Sequence, residues 1–254
     1  MNWSTADAVK CTGRFSAPWI AACLLLLQTG CFAPPPATLE PATPIELTLT
    51  PSLTVTSPPP TATLTPSPTS TPKPTPEPAG CFQPPDDYTR ITVNGWTLNQ
   101  RTLSMLMHAY ELYGGEIDIT STAITQGSYN SAIAASFGTH SGGGAVDISV
   151  LRKGTYTILW EEIDPLLRAL RTAGFAAWLR EYGELGPDSP IHIHAIAIGD
   201  AELSPEAQAQ LTGPAGYFRG YSGLVDESKL PTLDRYGGPI LCQWMLDLGY
   251  RDLR

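Results

Sequence analysis

Apolar residues change their spacing several times along this chain, and each change marks an element. Residues 91–93, Ile-Thr-Val, run into Asn94-Gly95, which reads as a strand entering a tight turn. From 98 to 113 the spacing becomes helical. Leu103, Leu106, Met107 and Tyr110 share a face, Asn99 is placed to cap the helix, and Gly114-Gly115 stops it. Residues 117–125 alternate and are β-branched, so a strand is expected. Residues 126–142 are small and polar, as a loop would be. Residues 145–150 form another strand pattern. The next helix spans 158–172, with Ile163, Leu166, Leu167 and Leu170 as its apolar stripe and Gly174 at its end. Strands follow at 175–179 and 191–198. Ser204 caps a short helix that opens with Pro205 and ends near Leu211. This order predicts an α+β domain. The tail from 213 to 254 is rich in Tyr and Gly and is a candidate lid.

The first 80 residues show no such pattern. Lys10 and Arg14 precede an apolar run at 15–27, the outline of an export signal and too short for a spanning helix. The run ends in Leu27-Gln28-Thr29-Gly30-Cys31, which resembles a bacterial lipoprotein box with Cys31 as the lipidated residue. Gln28 stands where that box has an aliphatic residue. Residues 32–80 form a disordered linker that cannot bury a core, since 15 of the chain's 25 Pro fall there. Extended in polyproline fashion, it would reach roughly 100–150 Å. The expected layout is therefore an export segment at 1–31, a Pro/Thr-rich linker at 32–80 and one domain at 81–254. That places the domain outside the cytoplasm, held to the outer face of the cell membrane by lipid or signal anchor.

Charge narrows the partners. The chain carries a net charge of −9 and no basic run, so nucleic-acid binding is not expected. A monomer is expected. Cys81 opens the domain and Cys242 lies near its end. In an exported protein these two are expected to pair, stapling its termini; two buried free thiols are the other possibility.

Chemistry concentrates in two segments. The first is His140-Ser141-Gly142-Gly143-Gly144-Ala145-Val146-Asp147, and the second is His192-Ile193-His194. On a strand, His192 and His194 project to one face while Ile191 and Ile193 point to the other. Ile196 and Ile198 would extend the histidine face as an apolar floor. Three N and O ligands leave a fourth position for water, the layout of a catalytic zinc. Two same-face histidines and an Asp on an apolar strand are costly to bury without a partner. The fourth histidine, His108, sits off the helical stripe and outside this set.

The pattern His140-x-x-Gly143-x-Ala145-x-Asp147, followed by His192-x-His194, resembles the D-alanyl-D-alanine carboxypeptidase (M15) group of zinc peptidases in the Hedgehog/DD-peptidase superfamily. The resemblance covers roughly residues 91–200. It implies an antiparallel sheet with flanking helices and cleavage of peptidoglycan stem peptides. It also implies zinc held by His140, Asp147 and His194, with His192 as the neighbouring site histidine. Three departures stand out. Gly138 replaces a frequent Ser. No Arg occurs at 126–130, where the group holds a substrate carboxylate. Ile191 takes the place of the general-base carboxylate. Asp188 and Glu181 are nearby acids that can substitute as base. Arg180, on the strand before His192 and on the same face as Trp178, is a candidate replacement clamp, and Gln126 and Tyr129 are candidate pocket donors. A catalytically degenerate, zinc-containing domain that binds cell-wall peptide is the alternative function.

Overall fold

The computed structural model describes residues 77–254. The export segment, Cys31 and the linker up to residue 76 lie outside the described residues. Within them the protein is mixed α+β, with small antiparallel sheets and four α-helices. No described helix is long and apolar enough to cross a membrane.

A hairpin opens the domain. Strands β1 (Arg90–Val93) and β2 (Trp96–Asn99) pair across Asn94-Gly95, both at positive φ as a two-residue turn of this hand requires. Helix α1 (Gln100–Tyr113) follows at once. Asn99 caps it by accepting the Thr102 amide, and Gly114 ends it in the left-handed region. Its buried stripe is Thr102, Met105, Leu106 and Ala109. The expected stripe was displaced by about one position: Leu106 is buried as expected, but Met107 and Tyr110 are exposed. Two apolar stripes overlap on this helix, and α1 packs through the one carrying the small Ala109.

The expected strand at 117–125 is mostly a turn. Asp118 accepts hydrogen bonds from the Thr120 and Thr122 side chains, and its carbonyl takes the Ala123 amide. That local capture outcompetes strand pairing. Only β3 (Ile124–Gln126) joins the sheet. The remaining strands are β4 (Ala145–Ser149), β5 (Phe175–Arg180) and β6 (His192–Ala197). They assemble as β3-β4-β6-β5, each pair antiparallel.

The two faces of this sheet have different fates. Val146, Ile148, Phe175, Ala177, Ile193 and Ala195 face a core shared with α1 and with α2 (Trp160–Thr172). Helix α2 contributes Ile163, Leu166, Leu167 and Leu170, the stripe its spacing predicts. On the opposite face, Ala176, Trp178, Ile196 and Ile198 pack against Ala207 and Leu211 of α3 (Pro205–Thr212), and against Phe218 and Trp244. Each core is sealed well enough that truncating Ile193 or Phe218 to Ala is worth roughly 2–5 kcal/mol.

The C-terminal segment is not a simple lid. It forms a hairpin of β7 (Tyr221–Val225) and β8 (Pro231–Leu233), then the short helix α4 (Gln243–Asp247). Cys242 is bonded to Cys81, 161 residues away in sequence, as expected. A loop of that length corresponds to about 5 kcal/mol in the chain-entropy account.

Candidate metal centre

Register brings the ligands together. Asp147 on β4 pairs with His194 on β6, and His194 pairs with Trp178 on β5. His192 lies opposite Ser149 on one side and Arg180 on the other. Directly opposed residues share a face, so Asp147, His192, His194, Trp178 and Arg180 all point the same way.

His140 reaches this row from the loop before β4. Two glycines permit that approach. A Cβ on Gly142 would lie 2.3 Å from the Glu202 carbonyl oxygen and 2.4 Å from the Ser204 amide nitrogen, so only Gly seats the loop against the start of α3. A Cβ on Gly127 would lie 2.4 Å from the Thr97 carbonyl oxygen. With Gly127 flush against β2, its own carbonyl accepts from His140 Nδ1 at 2.8 Å. Asn99, Asp200, Tyr129 and Glu202 brace the loop from behind through hydrogen bonds of Asn99 to Asp200 and Tyr129, and of Tyr129 to Glu202.

Three donor atoms then converge. Asp147 Oδ1 is 2.7 Å from His194 Nδ1 and 3.2 Å from His140 Nε2, and the two nitrogens are 3.3 Å apart. Ligand bonds of 2.0–2.1 Å in a tetrahedron put ligand atoms about 3.3 Å apart. Two of the three separations match that value. The third is shorter, as a carboxylate and an imidazole hydrogen-bonded to each other would be.

The tautomers sharpen the fit. A backbone carbonyl only accepts, so His140 Nδ1 carries a hydrogen. A neutral His140 then turns a lone pair from Nε2 toward a carboxylate oxygen. That contact is repulsive unless a proton or a cation lies between them. His140, Asp147 and His194 therefore form a group that can hold a metal ion. Two imidazoles and one carboxylate suit zinc and its first-row neighbours alike.

Electrostatics agree. Burial opposes ionisation of Asp147, yet hydrogen bonds and charge from His140 and His194 outweigh it and hold the carboxyl far below its ordinary value. Burial pushes His194 down to about 4 against the pull of Asp147, so the ring is neutral near pH 7. Asp147 is thus ionised and His194 uncharged, and an ion at this site would displace the Nδ1 proton that His194 shares with Asp147.

The other predicted residues divide. The ligands sit in the wall of a cavity of about 520 Å³, and His192, Arg180, Gln126 and Asp188 line it too. His192 Nδ1 donates to the Pro190 carbonyl at 2.8 Å, and its Nε2 is buried without a partner, 3.7 Å from Asp147 Oδ1. Gln126 donates to Ser136 Oγ at 2.7 Å. Asp188 is exposed at the cavity rim. Glu181 is engaged by Arg235 at 2.9 Å. Tyr129 is not in the cavity; it lies under Arg90, whose guanidinium carbon is 4.0 Å from the ring centroid. Arg90 and the acid Glu202 capture this side chain, so it braces the His140 loop instead of facing a ligand. His108 is remote, bonded to the Gly80 carbonyl.

Sequence reasoning missed the Gly127 and Pro190 carbonyls that fix the two tautomers, because nothing in a sequence marks a carbonyl. It also missed Gln210 and Leu224, which line the cavity from α3 and β7. From the tail only Leu224 reaches the cavity. Comparison with protein-family models, curated proteins and solved structures found no match for this chain. The donors and distances themselves carry the chemistry.

Proposed function

We propose that this protein is an exported, membrane-tethered zinc-dependent peptidase of the Hedgehog/DD-peptidase type that hydrolyses cell-wall stem peptides. The observation that carries this reading is the convergence of His140 Nε2, Asp147 Oδ1 and His194 Nδ1 in the wall of a cavity that is also lined by His192, whose Nε2 has no hydrogen-bond partner. The tether rests on the lipoprotein-like Cys31 and the Pro/Thr-rich spacer.

His140, Asp147 and His194 would hold the ion. Zinc, when bound, polarises the scissile carbonyl and acidifies water. The protein's own part is proton handling. The Pro190 carbonyl holds His192 in the tautomer that accepts at Nε2, so His192 takes the proton of the attacking water and returns it to the leaving amine. This assignment removes the need for the carboxylate that Ile191 replaces. Asp188 at the rim is the second group able to relay a proton.

The test is zinc content of the purified chain, then incubation with a stem peptide with and without chelator. One zinc per chain with chelator-sensitive cleavage is expected. His140→Ala should lose both. His192→Gln should keep zinc and lose about 10²–10⁴-fold in rate. Ile191 at the base position favours one other reading, a degenerate zinc-containing domain that binds wall peptide. Full zinc occupancy with no cleavage of any stem peptide would select it, and a chain that takes up no zinc would remove both.

A further inference from the structure

His194 lacks the second hydrogen bond that orients most ligand histidines. An imidazole that binds a metal through one nitrogen almost always donates its other N–H to a carbonyl, a carboxylate or water, and that bond fixes the plane of the ring. His140 has such a bond, from Nδ1 to the Gly127 carbonyl at 2.8 Å. His194 instead engages Asp147 Oδ1 through Nδ1 at 2.7 Å, and its Nε2 is buried with no partner. When an ion displaces the Nδ1 proton, the hydrogen of the neutral ring is carried on Nε2, where no group of the protein accepts it. No polar contact then turns the ring.

An indole takes that place. Trp178 lies directly opposite His194 across β5 and β6, and the two rings are stacked, with planes 11° apart and centroids 6.1 Å apart. Trp178 is 2 % exposed and is itself held by three neighbours. Its Nε1 donates to the Tyr221 carbonyl at 3.0 Å. The Tyr217 ring meets it at 89°, with 5.7 Å between centroids. The guanidinium carbon of Arg180 lies over it, 5.2 Å from the ring centroid. Tyr217 is fixed in turn, because its hydroxyl accepts the Ile240 amide at 3.1 Å. Tyr217 and Tyr221 belong to the C-terminal segment, which the Cys81–Cys242 bond staples to the start of the domain.

We infer that Trp178 is a positioning residue of the metal site: its indole, anchored by the C-terminal segment, sets the plane of His194 in place of the missing hydrogen bond. The inference rests on the metal-holding part of the peptidase reading and deepens it. The tail expected as a lid thus acts on a ligand, through Trp178.

The test uses the full chain, with zinc affinity from chelator competition and cobalt(II) absorption as the report on ligand geometry. Trp178→Leu should bind zinc about 10–100-fold more weakly and should shift and weaken the visible cobalt bands. Trp178→Phe keeps a ring against His194 and should retain most of the affinity and the wild-type spectrum. Leu211→Ala thins the same core from α3; it should lower the melting temperature and leave zinc affinity and cobalt spectrum unchanged. A merely structural Trp178 predicts that Trp178→Leu behaves as Leu211→Ala does, and that outcome overturns the inference. If Trp178→Leu does not fold, the wild type decides. Nuclear Overhauser contacts between the Trp178 indole and the His194 ring are expected in metal-free and zinc-loaded protein alike. Contacts that arise only with zinc, or not at all, overturn the inference. Zinc held by the wild type and loosened by Trp178→Leu, without cleavage of any stem peptide, supports the inference and removes the peptidase reading alone. Zinc held equally by both removes the inference alone, and a chain that takes up neither zinc nor cobalt removes both.

Discussion

Arg171 and Arg180 lie at the two ends of one sequence stretch, the end of α2 and the end of β5, and each is 1 % exposed. Around Arg171 every requirement of a guanidinium is met. It donates to the Ala177 carbonyl through Nε and Nη2, to the carbonyls of Tyr236 and Gly238 through Nη1, and to Asp234 at 2.7 Å. These bonds fasten the segment after β8 onto the α2–β5 corner. Around Arg180 no hydrogen bond is met at all. Burial alone therefore says little about what a charged side chain is for. A saturated buried cation is a fastening; one without hydrogen bonds ties no neighbouring segment down.

The comparison can be broken most directly at Arg171. Arg171→Met strands Asp234, whose side chain is 1 % exposed. The expected loss is about 3–5 kcal/mol of unfolding free energy, read from the urea midpoint. Reducing the Cys81–Cys242 bond, or Cys242→Ser, tests the same fastening covalently and is expected to cost about 2–5 kcal/mol by the same measurement.

The metal site should respond to acid in a way the fastening does not require. In metal-free protein His194 has its pKa lowered from 6.5 to about 4, so between those values the unfolded chain binds more protons than the folded one. Stability is full above pH 6.5 and falls as pH drops toward 4, by up to about 3 kcal/mol. The depressed Asp147 carboxyl adds to the loss below its ordinary value of 3.8. Melting curves of metal-free protein across this range, with His194→Gln flattening the upper part, would check it. The smallest effect is expected at Arg180. Arg180→Met should leave the urea midpoint within about 0.5 kcal/mol or raise it, and a loss as large as that of Arg171→Met would erase the distinction between the two arginines.

Much of the fold was legible locally. The Asn94-Gly95 turn, the Asn99 and Ser204 caps and the α2 stripe all depend on neighbours in sequence, and they form as their chemistry dictates. The same locality misled at 117–125, where Asp118 gathers the following threonines into a turn. It misled again on α1, whose core-facing side is chosen by the helix it packs against.

The site divides along the same line. The sequence by itself placed His192 and His194 on one face, because side chains in a strand alternate, and it singled out His140 and Asp147 by their glycine-rich spacing. It also suggested the Cys81–Cys242 pair. Only the tertiary structure decided which histidine atoms face the carboxylate, since the Gly127 and Pro190 carbonyls that set the tautomers come from the backbone of other turns. Only it separated Arg180 from Arg171 and Gln126 from Tyr129. Hydrogen-bond satisfaction depends on every group within reach, and that neighbourhood is assembled from strands and loops far apart along the chain.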